Sequence, residues 1–204
     1  MPIPRSWKDA DAVAATREFL SQKPPRRAAI RALMSELLAP DRFARRCAAD
    51  LARRISAREP GILRAYAPVL IDLLSELPLD EWQARGYITL AAALNASTRA
   101  QRMSLAVYLR ALVEDPRNAL RAIALEAFGI LAAVELELRD EALPLLERAR
   151  REGTCAMRSR AQRMLPPLLA AEIGIRTREE ASVGREASAA NRGRLKPERG
   201  YRLK

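Results

Sequence analysis

The chain has 204 residues, 49% of them apolar and only 4% aromatic, and it carries a formal charge of +11 with no histidine. That length and apolar share suit one domain with a continuous core, and the missing imidazole removes Ser-His-Asp, Cys-His and most zinc chemistry. Ala, Leu and Arg dominate over the β-branched and aromatic residues that strands prefer, so an all-α fold is expected.

Taken from the beginning, residues 1–24 read as an N-terminal capping helix. It spans about 6–22, with Trp7 and Phe19 set to cover the end of the elements that follow, and it stops at the Lys23-Pro24-Pro25 break. Residues 25–170 then show helical periodicity repeatedly. One apolar face is carried by Phe43, Cys47, Ala48, Leu51 and Ile55, a second by Tyr66, Leu70, Leu73, Leu74 and Leu77, and the clearest by Leu120, Ile123, Ala124, Ala127, Phe128 and Leu131. Starts are expected at Pro40-Asp41, at Asp80-Glu81-Trp82-Gln83 as a capping-box variant, at Asp115-Pro116 and at Gly153-Thr154. Helices of roughly twelve to seventeen residues with very short turns between them must pack as antiparallel hairpins.

In residues 171–204 the periodicity disappears. The stretch 176–204 holds nine basic and four acidic residues and little to bury, so a basic, disordered tail is expected. Its segment 191–202 mixes arginine, glycine and one aromatic, either as a flexible RNA-contacting arm or as a solubilising extension. No run approaches the length of a membrane span, since even 62–77 carries Arg64, Asp72 and Glu76. With no signal-like apolar segment near Met1 and only two cysteines, the expected setting is cytoplasmic, without membrane insertion.

A repeat emerges when the hairpins are laid over one another. Early in each second helix an arginine is followed three residues later by a small or apolar residue: Arg46/Ala49, Arg85/Ile88, Arg121/Ala124 and Arg158/Ala161. The arginines are 39, 36 and 37 residues apart, near the period of two-helix repeat units. In three units an aspartate precedes the arginine, as Asp41, Asp80 and Asp115, and the fourth has Gly153 there.

In these features, and most closely over 115–129, the chain resembles the HEAT-repeat family. The resemblance covers about 25–169 and implies a right-handed α-solenoid of about four helix hairpins. It also implies that Asp41, Arg46, Asp80, Arg85, Asp115 and Arg121 bridge neighbouring repeats as a ladder. Such a scaffold hosts many functions, so the likeness speaks to architecture.

No catalytic residue, metal site or cofactor is read from the sequence: no Walker-type or Rossmann-type glycine loop is present, and Cys47 and Cys155 lie far apart. Cys47 adjoins Arg45 and Arg46 but falls on an apolar face, where a buried structural thiol is expected in preference to a redox one. Asp80 and Trp82 admit a remote enzymatic reading, because some HEAT-like glycosylases that remove alkylated bases pair tryptophans with an acidic residue in a basic groove. Capping explains Asp80, and the apolar face that Ile88 continues explains Trp82.

Charge divides unevenly between the helix rows. The second helices carry many arginines against few acids, whereas a first helix such as the one holding Arg139, Arg148, Arg150 and Arg151 also holds Glu137, Asp140, Glu141, Glu147 and Glu152. In HEAT-like stacks the second helices line the concave surface, so Arg42, Arg45, Arg53, Arg54, Arg117, Arg160 and Arg163 are expected to form an electropositive binding surface. The expected function is a non-catalytic scaffold or adaptor for a protein with an acidic surface, with a nucleic-acid-binding module as the alternative. Against both stands the reading that these arginines form a solvated face.

Overall fold

A computed structural model describes residues 8–21 and 26–170. Among them there is no strand; the elements are α1 (Asp9–Ser21), α2 (Arg27–Leu37), α3 (Arg42–Arg58), a 3-10 turn (Arg64–Tyr66), α4 (Ala67–Glu76), α5 (Trp82–Asn95), α6 (Arg99–Leu112), α7 (Asn118–Ala132), α8 (Leu136–Glu152) and α9 over 155–170. No described helix is long and apolar enough to cross a membrane.

Helix pairs α2/α3, α4/α5 and α6/α7 pack against each other, and the second members also pack in a row, α3 on α5 and α5 on α7. Small residues make that row close. An added Cβ on Gly86 of α5 would meet Ile123 Cδ1 of α7 at 2.7 Å, and one on Gly129 of α7 would meet Met164 Cβ of α9 at 3.0 Å. The row therefore continues from α7 to α9. Helix α1 lies against α3 and buries Ala12, Ala15, Thr16 and Phe19, while Trp7 lies outside the described residues, as does the expected tail.

The three apolar faces read from the sequence point inward. Leu70, Leu74, Ile55, Phe128, Leu120 and Leu131 are fully buried and belong to one continuous core running from α1 to α9. Burial of this kind is worth roughly 1.5–3 kcal/mol per large aliphatic side chain, which outweighs the modest helical propensities of the individual segments. A polar clasp interrupts the core: buried Asn95 accepts from the Leu63 backbone N–H at 2.7 Å and donates to Ser56 Oγ at 2.8 Å and to the Ala91 carbonyl at 2.7 Å. One side chain thus satisfies groups on α3, α5 and the turn before α4, where an unpaired amide would be costly.

The helix starts agree with expectation at two places and differ at two. Asp41 is the N-cap of α3, accepting from Phe43 N at 2.8 Å and Ala44 N at 3.2 Å, and Thr154 Oγ1 accepts from Met157 N at the start of α9. Asp80, however, makes no cap: α5 begins at Trp82 behind Glu81, and Asp80 accepts from Arg42 instead. Asp115 turns its carboxylate to the Arg117 N–H one step before α7 begins at Asn118, so Pro116 stays outside the helix. A reciprocal capping box stands at Thr98 and Gln101, opening α6. The sequence carries its Thr-x-x-Gln signature, a cap built without an aspartate.

Candidate binding surface on the second helices

The ionic links between hairpins follow a different rule from the expected aspartate–arginine ladder. Arg46 donates to Gln83 Oε1 at 3.1 Å and lies over the Phe43 ring; Arg85 donates to the Leu77 carbonyl and lies over Tyr108; neither reaches an aspartate of the series. Arg121 forms no ion pair among the described residues, and its buried Nε has no partner. Asp41 and Asp115 are occupied by backbone amides and Asp80 by Arg42, which is why the expected bridges do not form.

The bridging is done by Arg26, Arg45 and Arg102. Each donates one guanidinium nitrogen to the carbonyl 6 residues before it, those of Leu20, Ala39 and Ala96. With another, each reaches a glutamate of the following turn: Glu59, 33 residues on; Glu81, 36 on; and Glu135, 33 on. Arg45 and Arg102 are largely buried, with side-chain exposures of 13% and 15%, so each guanidinium replaces lost water with a fixed carbonyl and a carboxylate. Arg42 to Asp80 and Arg99 to Glu137 repeat the connection at the solvent edge, both at 2.5 Å.

These contacts divide the seven arginines expected on the binding surface. Arg45 is a buried tie and is removed from that surface; Arg42, on Asp80, and Arg117, on Asp115, belong to the turn edge. Arg53, Arg54, Arg160 and Arg163 remain on the second-helix row. Arg53 Nη2 meets Asp50 Oδ1 at 2.5 Å and its guanidinium lies 5.1 Å from the centroid of Tyr87 on α5; Arg54 Nε meets Asp50 Oδ2 at 2.9 Å and its Nη2 reaches Asp9 of α1. From α9, Arg160 and Arg163 both reach Glu126 of α7. Asp50 and Glu126 are therefore each shared by two guanidiniums, whereas Asp9 meets Arg54.

Electrostatics tie the two clusters together. The Arg160 guanidinium is held below its ordinary pKa, first by burial and then by the positive charges of Arg163 and Arg53, which places Arg53 of α3 within electrostatic reach of α9. For Arg54 burial acts in the same direction but is outweighed by its bonds to Asp50 and Asp9, so its pKa is raised. Forks fixed in this way are presented without further loss of side-chain freedom, which favours a carboxylate or phosphate approaching their open edges.

Compared with protein-family models, curated proteins and solved structures, the chain matches none.

The remaining sequence-derived candidates are separate from this face. Asp80 and Trp82 line a recess of about 290 Å³ with Arg42, Phe43, Arg46 and Gln83, at the N-terminal ends of α3 and α5. There Trp82 is half-buried against the core and Asp80 is paired with Arg42. Cys47 is fully buried, and burial above all pushes its thiol up to about 11, whereas Cys155 is exposed, with Arg158 Nη2 at 3.3 Å from its sulfur. No group of three or more His, Cys, Asp or Glu among the described residues is arranged to hold a metal ion.

Proposed function

We propose that the chain is a right-handed α-solenoid of about four HEAT-like hairpins that works as a non-catalytic adaptor, capturing a protein partner through an acidic segment laid along its second helices. Its concave side is the row α3, α5, α7 and α9, where Gly86 and Gly129 permit close approach. The observation that carries the reading is the sharing of Asp50 by Arg53 and Arg54 and of Glu126 by Arg160 and Arg163. Arg160 and Arg163 outnumber Glu126 and leave that cluster positive, while Arg53 and Arg54, set against Asp50 and Asp9, keep guanidinium N–H groups beyond those the two carboxylates take; both arrangements suit charge-assisted bonds to incoming carboxylates.

Fluorescence anisotropy with a labelled polyglutamate of about thirty residues tests the reading, since charge reversal at paired contact arginines is expected to weaken binding at least about tenfold. The variants are Arg53→Glu with Arg54→Glu, and separately Arg163→Glu, whose side chain is 61% exposed. Unchanged affinity in both removes the surface from the account. The alternative, a nucleic-acid-binding module, draws on the overall +11 charge; tighter binding to a random DNA duplex or single-stranded RNA than to polyglutamate, falling steeply with salt, would favour it.

A further inference from the structure

Where α1 crosses the C-terminal half of α3, the two helices enclose a half-open cleft of about 540 Å³. Among the described residues four guanidiniums line it, those of Arg17, Arg53, Arg54 and Arg58, and no carboxylate does. Arg53 and Arg54 are held from behind by Asp50, and Arg54 also by Asp9. Arg17 and Arg58 are exposed and make no hydrogen bond or ion pair among the described residues. Between the charges the wall is aliphatic: Leu20 is half-buried, and Val13 is 43% exposed although it faces the cleft.

This combination is unlike the solvated faces elsewhere on the chain. On α6 the arginines find carboxylates across the surface, Arg99 at Glu137 and Arg110 at Glu141. Here two fixed forks and two that no described residue claims converge on a concave space whose size falls within that of ligand sites. Guanidiniums clustered about an apolar patch match an anionic group whose neighbours are apolar.

We infer that the α1/α3 cleft is the anchoring subsite for an acidic linear peptide in which glutamate or aspartate alternates with aliphatic residues. The carboxylates bond Arg17 and Arg58 and fill the open donors of Arg53 and Arg54, and the aliphatic side chains cover Val13 and Leu20. A nucleic-acid strand fits less well, because among the described residues no aromatic side chain lines the cleft for bases to stack on, and the nearby Tyr87 ring is already covered by Arg53. The inference rests on the adaptor reading and adds to it a defined entry point, built jointly by the capping helix and the first hairpin.

The test uses the full chain and two probes: a labelled hexapeptide of alternating glutamate and leucine, and the long polyglutamate. For the wild type the hexapeptide is expected to bind at least about fivefold tighter than a hexaglutamate, since apolar contacts add to charge. Arg17→Gln with Arg58→Gln, both exposed and without a partner among the described residues, should weaken the hexapeptide at least about tenfold while far-UV circular dichroism stays unchanged. Val13→Asp should weaken it likewise, and Arg110→Gln on α6 should leave it within about twofold. Hexapeptide binding unaltered by the Arg17/Arg58 pair overturns the cleft, as does its absence in the wild type. If polyglutamate still binds and responds to Arg163→Glu in that case, the adaptor reading survives; hexapeptide binding without any polyglutamate response at Arg163 overturns the extended surface and keeps the cleft. A single-stranded oligonucleotide that binds tighter than either peptide overturns both.

Discussion

Single residues decide what the charged groups of this chain can do. Cys47 was legible as a structural thiol because its position on an apolar face is a matter of spacing alone, and its burial has a measurable consequence. The unfolded thiol ionises near its ordinary 9.0, while the folded one keeps its proton to about 11. Above pH 9 the unfolded chain therefore binds fewer protons than the native one, and stability is expected to fall as pH rises from about 9 to about 11. Urea unfolding across that range, repeated with Cys47→Ala, checks this: the decline attributable to the thiol should vanish in the variant. In native protein at pH 8 a maleimide should label Cys155 alone, and labelling of both thiols at equal rates would contradict the packing around Cys47. The individual arginines were far less legible. Arg45 and Arg46 are neighbours of one residue type, yet the first is a buried tie to Glu81 and the second rests on Phe43 and Gln83. Their roles depend on carbonyls and glutamates brought near only by packing. The shared offset of Arg26 from Glu59 and of Arg102 from Glu135 is a second repeat in the sequence, independent of the aspartate–arginine spacing.

At the scale of helices, hydrophobic periodicity placed the apolar faces correctly because burial is an averaged property of many side chains. Helix starts hinge on one side chain meeting one amide, and there Asp80 and Asp115 depart from expectation while Asp41 does not. Asp41→Ala should lower stability by about 1 kcal/mol, the usual worth of an N-cap, whereas Asp80→Ala, which loses only an exposed ion pair with Arg42, should change it by less than about 0.5 kcal/mol. Chemical denaturation of the two variants side by side separates a cap from a surface pair, and equal losses would contradict the assignment. The spacing between second helices is set by glycine at two points. Gly129→Leu has nowhere to place its side chain against Met164; overpacking of this kind lowers stability by about 1–3 kcal/mol and should push α9 away from α7. Reduced amide protection in 155–170 by hydrogen exchange, with α2 and α3 unaffected, is the expected pattern.

Across the whole molecule, the all-helical class and the succession of hairpins follow from composition and period, but the arrangement of charge does not. Seven arginines were expected on one surface; Arg53, Arg54, Arg160 and Arg163 stand on the second-helix row, Arg58 lies beside the first two at the end of α3, Arg17 joins them from α1, and Arg45 is taken into the interior. The contribution of α1 was invisible to the repeat argument, because the capping helix stands outside the repeat and its docking brings Arg17 to α3. Competition among carboxylates is the other term that linear order conceals. The adaptor reading depends on those row arginines retaining donors that an acidic segment can take up in spite of Asp50 and Glu126. The arginine Nε–H resonances of the isotopically labelled chain report this directly during titration with polyglutamate. The account predicts saturable shifts for Arg53, Arg54, Arg160 and Arg163, with Arg45 and Arg102 unmoved; shifts confined to the arginines of α6 and α8, or none, would contradict it.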